Sequence, residues 1–192
     1  MQKRYVVAGI GTDVGKTIVA AILVKALKAA YWKPVQSGLE RDTDIIQTLI
    51  PEARCYPEAY HFKMPASPHQ AAAAEGLIIE SLPVPYHEGT LIIELAGGLM
   101  VPLRPDLLSL DWAKTLEAEW ILVSRYYLGS INHTLLSLAA LEGQKVKGVV
   151  LIGDLNEASR EVIAQRSPIL LEIPKAEITP EQITIWANLW TL

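Results

Sequence analysis

The chain has 192 residues, 51% apolar and 20% charged, a balance that belongs to globular proteins and excludes a disordered one. Its net charge of −4 argues against broad affinity for nucleic acid or anionic membranes, both of which favour basic surfaces. A single cysteine, Cys55, and no stretch near the roughly 18 apolar residues of a membrane span point to a cytoplasmic protein without a membrane partner.

In chain order, RYVVAG (4–9) has the continuous apolar run of a buried strand, and GKTIVAAILVKALKAA (15–30) is strongly helical. YWKPV (31–35) reads as a short strand and DTDIIQTLI (42–50) as a helix. SPHQAAAAEG (67–76) is an Ala-rich helix, with Ser67 placed to cap it and Gly76 to close it. The stretch 77–89, holding Pro83, Pro85 and Gly89, is a surface connection. Strands follow at TLIIEL (90–95), WILVS (120–124), VKGVVLI (146–152) and PILLEI (168–173), and helical periodicity covers 107–118, 130–143, 156–166 and 179–190.

Strands alternating with helices imply βαβ crossovers, hence an α/β fold with a mostly parallel sheet covered on both faces. One domain over residues 1–192, of the three-layer α/β/α kind, is expected. In such sheets ligands gather at the carboxyl ends of the strands, and that is where the unusual residues fall.

GIGTDVGKT (9–17) follows the first strand and runs into the first helix, the context a phosphate-binding loop needs. The usual spacing would put its first glycine at position 10, which is Ile10, so the loop is one residue longer counted from Gly9. Gly9, Gly11 and Gly15 let backbone N–H groups converge on an anion, and the helix start adds free N–H groups and a positive dipole end. Lys16 is placed to bridge the β- and γ-phosphates and the Thr17 hydroxyl to bind Mg²⁺.

Glu94, at the end of TLIIEL, stands where a second acidic residue reaches Mg²⁺ in phosphate-loop enzymes, and Gly97 and Gly98 leave room for a ligand against bare backbone. In RDTD, Asp42 reads as a helix cap. WKPVQSG puts Lys33 at a strand end held extended by Pro34, as a second cation beside the γ-phosphate, with Ser37 and Gly38 in the next turn. LGSINH (128–133) is a second anion cup, a glycine followed by a helix start that Ser130 caps. His61, His69, His87 and His133 show no metal spacing, and Cys55 has no triad-like setting.

GIGTDVGKT, WKPVQSG, SPHQAAAAEG, IIELAGGLMVPL and LGSINH, in this order, resemble the dethiobiotin synthetase family. The likeness implies an ATP- and Mg²⁺-dependent cyclo-ligase of biotin biosynthesis, a homodimer that uses 7,8-diaminopelargonate (7,8-diaminononanoate), CO₂ or bicarbonate, and ATP. It assigns Gly11, Thr12, Asp13, Val14, Gly15, Lys16 and Thr17 to the phosphates, and Thr17, Asp44 and Glu94 to Mg²⁺. Lys33 and Ser37 take the carbamate region, with Lys33 and Lys16 as the catalytic cations, and Gly97 and Gly98 lie along the diamine. Gly129, Ser130, Ile131 and Asn132 receive the substrate carboxylate from the neighbouring subunit, and Pro174 lies near the adenine.

The chain departs from that pattern in four places. ELAGG replaces EGAGG, which puts Leu95 close to the site. The run before WKPV is short, so the first helix must end early. LIGD places Gly153 or Asp154 where an adenine-reading Asn usually stands, with Asn156 further along, so weaker base selectivity is expected. The C-terminus is shorter too. Two other readings share the fold: a MinD/ParA-like nucleotide switch, which would carry a lysine at Gly11 and a basic tail, and a cobyrinate-type ligase domain. A catalytically weak homologue is a third.

Overall fold

The computed structural model describes residues 3–190. The chain begins with strand β1 (Lys3–Gly9), helix α1 (Lys16–Leu27), β2 (Ala30–Trp32), β3 (Val35–Ser37), α2 (Asp42–Leu49), β4 (Cys55–Tyr56), β5 (Tyr60–Phe62) and α3 (Pro68–Ala74). It continues through β6 (Thr90–Gly98), β7 (Pro102–Arg104), β8 (Leu107–Leu108), α4 (Ser109–Lys114), β9 (Glu119–Arg125), α5 (Ser130–Ala140), β10 (Val146–Ile152), α6 (Glu157–Ala164), β11 (Ile169–Ile173) and α7 (Pro180–Leu189). Seven strands form the main sheet in the order β11-β10-β9-β1-β6-β2-β4, and every pairing is parallel.

The continuous apolar strands are explained by this topology, because helices cover the sheet on both sides. Tyr5, Val7, Ile92, Ile121, Val123 and Val150 face α1, α2 and α7. Val6, Ala8, Leu91, Ile93, Leu122 and Leu151 face the opposite layer, where α3, α4 and α6 contribute Ala71, Leu110 and Ile163. Helix α1 is buried without interruption from Val19 to Val24, since it lies between the sheet and α7.

Helix α1 ends at Leu27 rather than continuing to position 30. Lys28 takes the left-handed conformation at φ 48°, and the Ala29 N–H returns to Val24 O at 3.0 Å. The expected strand 31–35 is two strands. Pro34 has no N–H to continue a ladder, so β2 stays in the main sheet while β3 pairs with β5 in a separate ribbon. The expected helix 107–118 is shorter, because Leu107 and Leu108 form an antiparallel ribbon with β7 before α4 begins. β4 and β5 are too short to register as periodic runs.

Leu95 points away from the site. Successive side chains on β6 alternate faces, so Glu94 faces α1 while Leu95, 2% exposed, joins the apolar cluster on the other side with Leu99 and Leu103.

Candidate active site

A cavity of about 1100 Å³ opens at the carboxyl ends of β1, β2 and β6. Its wall includes Thr12, Asp13, Gly15, Lys16, Thr17, Lys33, Ser37, Asp42, Glu94 and Gly97. A side cleft of about 330 Å³ at the ends of β9, β10 and β11 holds Val14, Gly153, Asp154 and Pro174, and shares Asp13 and Gly15 with the first. Most residues expected at the site therefore converge. Gly11 and Gly98 are not part of that wall but lie together, a Cβ on Gly98 falling 3.5 Å from the Gly11 Cα. Ser130, Ile131 and Asn132 line neither cavity of their own chain.

The phosphate loop is locked from several sides. Gly15 has φ 94°, a conformation open chiefly to glycine, and it directly precedes α1. The Ile10 N–H bonds Val123 O at 3.0 Å, and the Lys16 ammonium folds back on Gly11 O at 2.9 Å. Gly97, at φ 63°, faces Thr12, whose hydroxyl would lie 3.5 Å from any added Cβ.

Thr17, Tyr31, Lys33 and Glu94 meet on the α1 face of the sheet because their elements all present that side. The Thr17 hydroxyl donates to Glu94 Oε1 at 3.0 Å and the Lys33 ammonium reaches the same oxygen at 3.1 Å. The Tyr31 hydroxyl donates to Glu94 Oε2 at 2.9 Å, and Lys33 also pairs with Asp42 Oδ2. Glu94 is 1% exposed and Lys33 5% exposed, so these charges sit where water screens them little.

Burial acts on Lys16, Lys33 and Tyr31, with different net results. It lowers Lys16 to about 8, against the attraction of Glu94. Burial also works to lower Lys33, but the adjoining Glu94 and Asp42 carboxylates outweigh it and leave Lys33 raised. Tyr31 is pushed well above the usual phenol range by burial and then by Glu94, so it acts as a hydrogen-bond donor.

The carboxylates of α2 point to different sides. Asp44 lies outside the cavity, its carboxylate 61% exposed and 3.7 Å from Arg41. Asp42, read as a cap, faces Lys33 instead. Two residues of helix turn about 200°, so the two carboxylates leave α2 in opposing directions. The capping function falls elsewhere: Gln36 Oε1 accepts the Asp42 N–H at 3.4 Å, while Gln36 Nε2 donates to Glu40 O at 2.8 Å. At α5 the cap is Gly129 rather than Ser130, whose side chain instead accepts from Tyr127 N at 3.4 Å.

Each histidine has a local role. His61 contacts Gly38 O, His69 contacts Ser67, His87 contacts Tyr56 and His133 contacts Tyr127. Asn156 caps α6 by accepting from Ser159 N at 2.9 Å. Among the described residues no group of three or more His, Cys, Asp and Glu side chains gathers as a metal site. None of their helices is long and apolar enough to cross a membrane. Tyr31 and Gln36 escaped the sequence reading, and Asp42 entered it only as a cap. The signal available was positional: Tyr31 is two residues before Lys33, hence on the same strand face.

A parallel sheet between helical layers, with Gly-Lys-Thr opening the helix after β1 and an acid, Glu94, on the neighbouring strand β6, defines a P-loop nucleotide-binding protein. A family model described as "AAA domain" matches residues 3–182. The ATP-dependent dethiobiotin synthetase of Cytophaga hutchinsonii is 44% identical over 196 residues, covering 96% of this chain and 95% of that one. That of Agrobacterium fabrum is 45% identical over 195 residues, covering 95% of this chain and 92% of that one. The chain belongs to that AAA-domain family and, with these relatives, to the ATP-dependent dethiobiotin synthetases. Among solved structures, the signal recognition particle receptor FtsY of Elizabethkingia anophelis superposes with a TM-score of 0.49 at 15% identity, covering 97% of this chain and 64% of that one.

Proposed function

We propose that the chain is an ATP-dependent dethiobiotin synthetase, one ligase domain that converts 7,8-diaminopelargonate, CO₂ and ATP to dethiobiotin, ADP and phosphate. The observation that carries the reading is the pair of buried ammonium groups, Lys16 and Lys33, set beside Thr17 and Glu94 in one cavity. The substrate brings its own two amines, so the reaction needs no His or Cys nucleophile. It needs positive charge around a phosphoryl group in transfer, and alignment.

One amine captures CO₂ as a carbamate. A carbamate oxygen attacks the γ-phosphorus and ADP leaves, giving a carbamic-phosphoric anhydride. The second amine then attacks the carbonyl carbon, closes the ureido ring and expels phosphate. Lys16 and the loop N–H groups from Gly11 to Thr17 hold the triphosphate. Lys33 turns from its carboxylate partners toward the γ-phosphoryl oxygens, where its charge stabilises the charge that develops. Ser37 faces the carbamate, and Gly97 and Gly98 leave the diamine space. Gly153 and Pro174 flank the base, and the lack of an amide side chain at 153 supports a weaker preference for adenine.

The donor set suits a hard divalent cation: a hydroxyl and a carboxylate oxygen 3.0 Å apart, already attracting the Lys33 ammonium. Thr17 and Glu94 would hold Mg²⁺ in this reading, with Asp42 as the second acidic group in place of Asp44. When bound, Mg²⁺ supplies neutralisation of phosphate charge. The start of α5, with Gly129, Ser130, Ile131 and Asn132, receives the carboxylate of a diamine bound in a second subunit, which accounts for its distance from its own cavity.

Purified protein given diaminopelargonate, bicarbonate, Mg²⁺ and ATP should yield dethiobiotin by mass detection. ATP binding without product at high enzyme would overturn the reading. Lys33→Ala should slow turnover about 10²–10³-fold, as loss of a preorganised donor does.

A further inference from the structure

Glu94 uses its two oxygens differently. Oε1 meets Thr17 and Lys33, the groups assigned above to the metal and the phosphates, whereas Oε2 accepts from the Tyr31 hydroxyl at 2.9 Å, its one hydrogen-bond partner among the described residues. The sheet register creates this contact. Tyr31 on β2 pairs with Ile92 on β6, and Glu94 is the next residue along that face of β6, the diagonal neighbour that an aromatic side chain can reach. Tyr31 is 0% exposed and packed in the apolar cluster that holds Ile22, Ile46 and Ile92.

A phenylalanine would fill that volume without bringing a polar atom into an apolar layer. Among the described residues, the hydroxyl is also the group that holds the Glu94 carboxylate from behind. A buried carboxylate gripped at one oxygen cannot rotate freely, so its second oxygen keeps a fixed direction. We propose that Tyr31 is a positioning residue: its hydroxyl holds Glu94 in the orientation that presents Oε1 to Thr17 and to the divalent cation of the nucleotide. The proposal rests on Glu94 serving that cation, as in the reading above. It places the metal's supporting contact on β2, the strand that runs directly into Lys33, so one stretch of chain aligns both charges.

The test is Tyr31→Phe in the full chain, with Mn²⁺ as the probe and its binding in the presence of ADP followed by electron paramagnetic resonance. Loss of a contact behind a metal ligand typically weakens metal affinity about 10- to 100-fold, and a fall near the lower end is expected. The Mg²⁺ concentration giving half-maximal dethiobiotin formation should rise in step, with turnover recovering at saturating Mg²⁺. Metal-free ADP should bind as before, and the melting temperature should fall by only about 2–4 °C. The double variant Tyr31→Phe/Glu94→Gln should bind Mn²⁺ no more weakly than Glu94→Gln alone.

Unchanged Mn²⁺ binding in Tyr31→Phe, while Glu94→Gln weakens it, would reduce Tyr31 to a core residue and overturn the proposal. Unchanged binding in Glu94→Gln would remove the metal assignment, and the role of Tyr31 with it. Dethiobiotin formation by the parent chain separates that outcome from failure of the proposed activity.

Discussion

Asp42 and Asp44 show how one residue's direction decides its chemistry. Only Asp42 faces Lys33, so Asp42→Asn should cut turnover and raise the Mg²⁺ requirement by about tenfold or more, the loss expected from a charged partner at a buried site. Asp44→Asn should leave both unchanged, because its exposed pair with Arg41 contributes little. Mg²⁺-titrated turnover of the two variants decides it, and the reverse pattern would return Asp44 to the metal. Lys16 makes a pH prediction. Burial sets it at about 8, below its ordinary 10.5, so the ammonium is lost as pH rises through 8. Bound phosphate favours the charged form, so metal-free ATP binding above about pH 8 should take up a proton and weaken as pH rises. Calorimetry in buffers of different ionisation enthalpy measures the uptake, and its absence at about pH 9 would contradict the assignment. For stability the sign is opposite. The unfolded chain holds this proton over a wider range, so the cost of burying charged Lys16 is relieved between 8 and 10.5.

The element that matters most is the turn from β1 into α1. Gly15, at φ 94°, directs the following N–H groups toward the cavity, and a Cβ there would lie 2.4 Å from Ile152 Cδ1. The Ile152 methyl can swing aside, but the backbone strain remains. Gly15→Ala should therefore cost about 1–3 kcal/mol and remove most of the rise in melting temperature that ATP gives the parent chain. Paired melts with and without ATP test this, and a full ATP-dependent rise in the variant would mean the loop tolerates another course. This element was legible in the sequence, since glycines, a lysine and a strand-to-helix transition are neighbours in the chain. The split of YWKPV into β2 and β3 was not, although Pro34 marked its place. A proline shows where a ladder must break but not which sheet accepts the next strand.

At the scale of the whole molecule, two apolar layers sandwich the sheet and leave α5 with only Ser130 and Thr134 buried. Leu136 stays 61% exposed and Leu128, just before α5, is fully exposed. A homodimer joined through this face is the assembly proposed above. Sedimentation equilibrium should give twice the chain mass, and Leu136→Glu should shift it toward monomer while raising KM for the diamine but not for ATP. A fully active monomer would sink that arrangement. Sequence alone determined the fold class, the phosphate loop, the strand that carries Glu94 and the place of Lys33 just past a strand, because apolar periodicity and loop chemistry are carried by residues adjacent in the chain. Glu94, expected at a strand end, lies in the middle of β6, which runs on to Gly98. Tertiary structure decided that Leu95 enters the core, that Asp42 rather than Asp44 meets Lys33, and that Tyr31 grips Glu94. Those outcomes depend on which way a side chain leaves its element and on the register between elements. Tyr31 and Glu94 are separated by 63 positions, and only the alignment of β2 on β6 brings their oxygens within 2.9 Å.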